Sequence, residues 1–313
     1  MSKLRVVFFG TSIFAAQLLR FLVDHDVNII AVVTRPDKPR GRSLQLLPPP
    51  VKEIAQKICL HIPLYQPKKA STDEFVEILK QFQADLFVVV AYGEIIKENV
   101  LSLPRLGCIN VHASLLPEYR GAAPMQRALM DGVKKTGITI IDMVLEMDAG
   151  DIIATAEMSV PKEMILGELQ EKLCFLACPL LLDVIKDFEN GNVQKIPQDS
   201  SKITFAPKIQ PKEEEIDWAL SAEVIHNQIR ALSPQPGAWC YVQVGQEVKR
   251  LKIKKSMPLD CEGEFKKNIS FNKREWIVAC GKGALSLLEV QLEGKKSLSI
   301  KDFLSGYSSI HIF

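Results

Sequence analysis

Short apolar runs alternate with amphipathic stretches through the first half of the chain. Four of these runs are rich in Val, Ile and Phe and predict strands. They lie at residues 4–9, 28–34, 85–91 and 107–112. In the stretches between them, apolar residues recur at helical spacing. The predicted helices lie at residues 13–23, 51–59, 72–82 and 94–103. Because continuously apolar strands are typical of a parallel sheet covered on both faces, the pattern predicts a doubly wound, Rossmann-like α/β domain.

The second half of the chain has a different pattern. A further strand at 137–144 and a long helix at 164–189 complete the first domain, which we place at residues 1–189. The polar, proline-bearing residues 190–207 predict a linker. Residues 208–313 show one helix and then short strands separated by glycine turns, which favours a small OB-like β-barrel of five strands. The helix is predicted at 222–232 and the strands at 239–244, 248–254, 276–279 and 285–292.

The composition is that of an ordinary globular protein. The 313 residues are 47% hydrophobic and carry a net charge of +2. The longest uninterrupted apolar run, Leu86 to Tyr92, is far shorter than the roughly 20 residues that span a bilayer. A strand pattern begins almost at the first residue, so no signal peptide is expected. The seven cysteines are odd in number and include no CxxC pair, which indicates reduced thiols and a cytoplasmic location.

The turn after the first strand bears on cofactor binding. A dinucleotide-binding turn carries GxGxxG, which lets the backbone approach a pyrophosphate. The segment Gly10-Thr-Ser12 has a single glycine, so NAD is not expected. Ser12 is instead predicted to cap the first helix.

The fourth strand carries two polar residues near its carboxyl end, where open α/β sheets bind ligands. Asn110 and His112 are two positions apart, so both project from one face of an extended strand. An asparagine N–H can stabilise an oxyanion, and a histidine can take up a proton near neutral pH. The alternative is a buried histidine with satisfied hydrogen bonds beside a structural asparagine.

Asp148 lies in a turn rich in Asp and Gly that follows a later strand. A doubly wound sheet could bring its carboxylate beside His112 and fix the tautomer of the imidazole. A turn without any catalytic part is the alternative, since 36 positions separate the two residues. Cys108, His112 and Asp148 do not have the spacing of a common metal site, and no metal is expected.

Several short motifs occur together along the chain. They are Asn110-Val-His112, Ser114-Leu-Leu-Pro117, Tyr119-Arg-Gly-Ala-Ala-Pro124 and Asp148-Ala-Gly150, with Phe9-Gly-Thr11, Pro36-Asp37, Gly41-Arg42, Val90-Ala-Tyr-Gly93, Ile229-Arg-Ala231 and Pro236-Gly-Ala-Trp239. With these motifs, essentially the whole chain resembles the folate-dependent formyltransferases.

The resemblance implies a donor, an acceptor and a catalytic set. The donor would be 10-formyltetrahydrofolate, and the acceptor the α-amino group of methionine esterified to initiator tRNA. The product would be N-formylmethionyl-tRNA for translation initiation. Asn110 would stabilise the oxyanion, His112 would move protons, and Asp148 would orient and charge His112. The resemblance also places folate binding at Ser114, Leu115, Leu116 and Pro117, and at Ala91, Tyr92 and Gly93.

The loop after the second strand is the predicted contact for tRNA. It carries four basic residues, Arg35, Lys38, Arg40 and Arg42. A basic loop of this kind could bind the phosphates of an acceptor stem. The family resemblance supports this role, with Arg42 as the principal contact, although Ser43-Leu-Gln45 follows where lysines are common. Residues 208–313 are expected to share in tRNA binding.

Two other functions are compatible with parts of the sequence. A formyltransferase acting on a small amine, such as an amino-sugar nucleotide or a glycinamide ribotide, would use the same Asn, His and Asp. A glycinamide ribotide enzyme would normally lack the second domain, and the basic loop favours tRNA over a sugar nucleotide. A non-catalytic folate- or RNA-binding protein is a second alternative. The family resemblance also implies a monomer.

Overall fold

The computed structural model describes residues 3–40, 45–259, 268–271, 274–307 and 310–312. The chain folds into two compact units. The first contains Met1–Gly121, Gly137–Met158 and Gln170–Phe205, and the second contains Ala122–Thr136, Ser159–Leu169 and Ala206–Phe313. Within the described ranges, none of the helices combines the length and the apolar character needed to cross a membrane.

The first unit is built on a seven-stranded sheet. Its strands are β1 (Val6–Gly10), β2 (Ile29–Val33), β5 (Leu64–Tyr65), β6 (Leu86–Val90), β7 (Cys108–His112), β8 (Lys135–Asp142) and β9 (Ile152–Ser159). They are ordered β5-β2-β1-β6-β7-β8-β9. The pairs from β5 to β7 are parallel, whereas β8 runs antiparallel to β7. A short antiparallel hairpin, β3 (Lys38–Arg40) and β4 (Gln45–Leu47), lies outside this sheet.

The predicted α/β architecture is confirmed. The helices up to residue 190 are α1 (Ile13–Asp24), α2 (Pro50–Ile58), α3 (Asp73–Gln81), α4 (Glu98–Leu101), α5 (Pro124–Met130) and α6 (Leu166–Asn190), of which α5 belongs to the second unit. All residues of β1 and β6 are buried, as expected for strands covered on both faces. Ser12 caps α1 as predicted, because its Oγ accepts a hydrogen bond of 3.2 Å from the backbone N–H of Ala15.

The helix predicted at 94–103 is wrong in extent, since only Glu98–Leu101 is helical. The carboxylate of Glu94 accepts a hydrogen bond of 3.0 Å from the backbone N–H of Ala70. The backbone N–H of Lys97 donates to Ser71 Oγ at 3.2 Å. These contacts with a neighbouring loop replace the hydrogen bonds of a first helical turn.

The second unit is dominated by antiparallel strands. They are β10 (Ala238–Val244), β11 (Glu247–Leu259), β12 (Asn268–Phe271), β13 (Trp276–Ala279), β14 (Ala284–Leu292), β15 (Leu298–Ser299) and β16 (Ile310–Ile312), with helices α7 (Ala222–Leu232) and α8 (Ile300–Ser305). The sheet order is β12-β13-β14-β11-β10-β16, and β15 pairs with β14. This half-barrel confirms the predicted class of domain, although its sheet has seven strands within the described residues rather than five.

Candidate active site

The two polar residues of β7 lie where the sequence pattern predicts. In the parallel pairing with β6, Asn110 is opposite Val89, one residue before the end of β6. His112 is the last residue of β7, and only 6% of its side chain is exposed. The intervening Val111 projects to the other face and is also buried. The strand is therefore apolar on one face and carries an amide and an imidazole on the other, at its carboxyl end.

The structure brings Asp148 into contact with both of these side chains. Asp148 Oδ1 lies 3.3 Å from Asn110 Nδ2, which donates to it, and 3.6 Å from His112 Nδ1. Its other oxygen, Oδ2, accepts a hydrogen bond of 2.8 Å from the backbone N–H of Gly121. Asp148 has a φ of 53°, a left-handed backbone conformation that aspartate tolerates better than most residues. The turn after β8 thus aims one carboxylate at an amide, an imidazole and a backbone donor.

The second ring nitrogen of His112 fixes the tautomer. Nε2 lies 2.9 Å from the carbonyl oxygen of Tyr119. A carbonyl can only accept a hydrogen bond, so Nε2 must carry the hydrogen. In the neutral ring, Nδ1 is then the unprotonated nitrogen, and it faces Asp148. Nδ1 can therefore accept a proton on the side of the ring that faces the Asp148 carboxylate.

The segment Ser114–Pro117 forms a tightly bonded turn after β7. The hydroxyl of Ser114 is fully buried and donates to the carbonyl oxygen of Glu118 at 2.6 Å. Thr139 Oγ1, on β8, donates to the Ser114 carbonyl at 2.7 Å and accepts from the Leu116 N–H at 3.0 Å. The Ser114 hydroxyl is thus used within the turn, whereas the side chains of Leu115 and Pro117 are half-buried.

The predicted segment Ala91–Gly93 follows β6 directly. Ala91 and Gly93 are exposed, while the ring of Tyr92 is buried and packs edge-on against Phe9 at a centroid distance of 5.5 Å. Burial raises the pKa of Tyr92 to about 12. The Tyr92 carbonyl accepts a hydrogen bond of 2.7 Å from Thr11 Oγ1. A cavity of about 500 Å³ lies here. Its lining includes Thr11, Ser12, Ile13, Arg35, Lys38, Ala91, Tyr92 and Gly93.

The basic residues predicted to contact tRNA differ in their surroundings. Arg35 is half-buried, forms an ion pair with Glu94 and donates to the Lys68 carbonyl at 3.0 Å. Lys38 is exposed at the start of β3. The backbone of Arg40 ends β3, and its side chain lies outside the described part of the structure, as does all of Arg42.

The side-chain pattern missed several parts of the site. The carbonyl of Tyr119 and the N–H of Gly121 are backbone groups, and no residue type signals them. Three exposed apolar side chains precede Asp148 along the chain, and the sequence pattern did not predict them as part of the site. They are Val144, Leu145 and Met147. Among the described residues, no group of three or more His, Cys, Asp or Glu side chains could hold a metal ion.

Known protein families and relatives match this chain over almost its whole length. Residues 4–185 match the family described as formyl transferase, and residues 208–308 match the formyl transferase C-terminal domain. The chain is 48% identical over 310 residues to the methionyl-tRNA formyltransferase of Protochlamydia amoebophila, covering 98% of this chain and 96% of that protein. It is 44% identical over 313 residues to the methionyl-tRNA formyltransferase of Chlamydia caviae, covering 99% and 97%.

Solved structures share the fold at lower identity. HypX from Aquifex aeolicus in complex with tetrahydrofolic acid matches with a TM-score of 0.66 and 16% identity, over 97% of this chain and 47% of that chain. The sugar 3N-formyl transferase WlaRD matches with a TM-score of 0.66 and 18% identity, over 95% and 100%. At these identities the likeness shows the fold alone. Because both family descriptions match in order and relatives of 44 to 48% identity align over nearly the full length, the chain belongs to the formyl transferase family.

Proposed function

We propose that the protein transfers the formyl group of 10-formyltetrahydrofolate to the α-amino group of methionine on initiator tRNA. The product is N-formylmethionyl-tRNA for translation initiation. The observation that carries this proposal is the contact of Asn110, His112 and Asp148 in a chain that matches methionyl-tRNA formyltransferases over almost its whole length. A cytoplasmic location and a monomeric state stay predictions.

Asn110 and His112 divide the chemistry between them. The α-amine, whose ordinary pKa is about 7.7 to 8.0, attacks the formyl carbon in its neutral form. A C–N bond forms, and the formyl oxygen takes on negative charge. Asn110 has two amide hydrogens, of which one is directed at Asp148, so the other can donate to this oxyanion. Loss of one such donor typically costs about 3 kcal/mol of transition-state stabilisation.

His112 and Asp148 move the proton as a pair. His112 Nε2 is occupied by its hydrogen bond to Tyr119, so the proton released by the attacking amine is held at Nδ1, facing the Asp148 carboxylate. The same proton is then delivered to the folate nitrogen as its bond to the formyl carbon breaks. The proton balance closes within the site, and no further acid or base is required.

The segments that we propose to bind folate follow strands β6 and β7. We assign Ser114–Pro117 and Ala91–Gly93 to folate binding. The exposure of Ala91 and Gly93 beside a cavity of about 500 Å³ supports the second segment as a direct contact. The buried hydroxyl of Ser114 supports a different role for that residue, which is to shape the turn.

The assignments for tRNA rest on charge and, for Lys38, also on exposure. We propose Lys38 and Arg40 of β3, together with Arg42 farther along the chain, as contacts with the acceptor end. Arg35 is assigned to the same surface, and its ion pair with Glu94 anchors the base of the loop. Residues 1–189 would carry the transfer reaction, and residues 208–313 would add contacts with the RNA.

One surface of the second unit supports the proposal that this unit contributes to tRNA binding. The exposed Arg250 on β11 lies over the ring of Trp239 on β10, with 4.3 Å between the guanidinium carbon and the ring centroid. Tyr241 lies 5.8 Å from the same guanidinium. Basic side chains supported by aromatic rings are typical of surfaces that bind nucleic acid.

The test compares acceptors and variants in one assay. Formyl transfer is measured with charged initiator tRNA, free methionine and an amino-sugar nucleotide as acceptors. We expect only the charged tRNA to be formylated efficiently, His112→Ala to lower kcat by about 100-fold or more, and Arg42→Ala to raise KM for tRNA and weaken its salt dependence.

Matched controls are available for both variants. His61 and Arg20 are exposed, so His61→Ala and Arg20→Ala should leave the reaction unchanged. Preference for the small amine would overturn the tRNA assignment and leave the formyl transferase chemistry intact.

A further inference from the structure

The segment after α6 contacts both loops of the candidate site. Ile196 and Ile152 exchange two backbone hydrogen bonds, of 2.8 and 2.9 Å, just after the Asp148 turn. Farther along, the backbone N–H of Arg120 donates to the Thr204 carbonyl at 2.9 Å. Residues 195–205, which the sequence pattern predicts as part of a linker, therefore join the loop of Asp148 to the loop that follows His112.

Gln198 makes the most specific of these contacts. Its Nε2 donates to the carbonyl oxygens of Asp148 at 2.8 Å and of Gly150 at 2.7 Å. Its Oε1 accepts from Arg120, at 3.1 Å from Nε and 2.8 Å from Nη2. One carboxamide thus uses both of its hydrogens and its oxygen within the site.

Arg120 fixes the orientation of that carboxamide. A guanidinium donates and cannot accept, so the oxygen of Gln198 must face Arg120 and the two hydrogens must face the Asp148 turn. Arg120 is 6% exposed, whereas its other partner, Glu146, has a side chain that is 76% exposed. The more firmly held partner of Arg120 is therefore the Gln198 amide rather than an exposed carboxylate.

We propose that Gln198 is a positioning residue for formyl transfer, acting through the backbone of Asp148. The carboxylate of Asp148 contacts Asn110 and His112. The backbone of Asp148 has a φ of 53°, in the left-handed region that residues other than glycine rarely adopt. Two hydrogen bonds from one amide hold this turn at its two carbonyls. The proposal rests on the proposed function only for its kinetic readout, since the geometry around His112 can be measured without the reaction.

The first test separates hydrogen bonding from the filling of space. Gln198→Glu keeps the shape of the side chain but removes both donors and places an oxygen against two carbonyls. Gln198→Ala removes the whole carboxamide and leaves room for water. If the amide positions Asp148, the kcat of Gln198→Glu falls by about 10- to 100-fold, at least as much as that of Gln198→Ala. The KM for charged tRNA stays within about threefold of native in both variants.

A matched control exists in the second unit. Gln228 Nε2 donates to the carbonyls of Glu213 and Glu215, each at 2.9 Å. Gln228→Glu makes the same chemical change far along the chain from the catalytic residues, and it should leave kcat unchanged. A larger loss in Gln198→Ala than in Gln198→Glu would indicate that the side chain merely fills space, and would overturn the proposal.

The second test observes His112 directly. The chain has five histidines, so the ring ¹⁵N signals of His112 can be identified by their loss in His112→Ala. These signals should shift in Gln198→Glu, because the Asp148 carboxylate moves relative to Nδ1, and should stay unchanged in Gln228→Glu. Unchanged His112 signals in Gln198→Glu overturn the proposal whatever the kinetics show. If the native enzyme fails to formylate charged tRNA, the proposed function fails, while the ring signals still decide the role of Gln198.

Discussion

Gly150 provides a test of how tightly the Asp148 turn is constrained. A Cβ atom at Gly150 would lie 1.6 Å from the carbonyl oxygen of Asp142 and 2.8 Å from its carbonyl carbon. A relaxed contact between carbon and oxygen is about 3.3 Å, so Gly150→Ala requires a movement of about 1.7 Å. Asp142 is the last residue of β8, and it lies in the part of that strand, Thr139 to Asp142, that pairs with β7. The turn, rather than the strand, has to move.

The size of the effect follows from the distances in the site. Asp148 is two residues before Gly150, and its Oδ1 lies 3.3 Å from Asn110 Nδ2 and 3.6 Å from His112 Nδ1. A misplacement of roughly 1 Å in a catalytic constellation costs about 100-fold in rate. We therefore expect Gly150→Ala to lower kcat by about 100-fold, equivalent to about 2.7 kcal/mol. The KM for charged tRNA should change by less than about threefold, because the basic hairpin is not displaced.

The assay is formyl transfer at saturating donor and charged tRNA, with circular dichroism to verify the fold. Gly306→Ala is the matched control, because a Cβ there would meet the Phe303 carbonyl at an ordinary 3.6 Å. Asp148→Asn, which introduces no steric clash, should also lower kcat. A folded Gly150→Ala protein with kcat within about threefold of native would refute the argument that the shape of this turn sets the rate.

Three further predictions concern stability. Replacing the fully buried Phe9, whose ring lies 5.2 Å from that of a neighbouring phenylalanine, by Ala should lower the free energy of unfolding by about 3 to 5 kcal/mol, measured in urea; a change under about 1 kcal/mol would contradict its place in the core. The hydrogen bond from Arg127, and after it that from the backbone N–H of Gln210, holds the pKa of Glu213 below its ordinary value. The stability that these bonds contribute is therefore complete above the pKa of Glu213 in the unfolded chain, and it is lost as the pH falls through the pKa of Glu213 in the folded protein. Glu213→Gln should remove this loss of stability at low pH. If the free energy of unfolding depended on pH in the same way in both proteins, the assignment would be contradicted. Burial lowers the pKa of His226, so protonation favours the unfolded chain and stability should fall as the pH drops below about 6.5. His226→Gln should flatten this part of the profile, whereas an equal slope in both proteins would exclude His226 as its source.

Periodicity predicted the regular elements of the fold because burial determines them. Strands β1 and β6 are apolar throughout, and the spacing of apolar residues located α1 within one residue of its end. Strand β9 was not predicted, because its residues alternate between exposed and half-buried positions in a way that also suits a polar loop. The antiparallel direction of β8 could not be read from an apolar run, which looks the same in either orientation.

The candidate site was predictable only in part. Asn110 and His112 stand out because an apolar strand rarely carries two polar residues on one face. Asp148 is 36 positions from His112, and its contact depends on the order of strands rather than on any local pattern. No pattern in the sequence pointed to Gln198, because it lies in a polar segment and the residues on either side of it are exposed.

Backbone strain explains why the loops of this site depend on their surroundings. Among the described residues, three of the five non-glycine residues with positive φ follow the site's strands or lie in its loops: Ala91 at 42°, Tyr119 at 62° and Asp148 at 53°. Such conformations cost of order 1 to 3 kcal/mol each and persist only where neighbouring contacts impose them. The buried strand that carries Asn110 and His112 needs no such support. A variant that weakens the loop contacts should therefore displace Asp148 and the Tyr119 carbonyl before it unfolds the sheet, so that turnover falls while the fold is still intact.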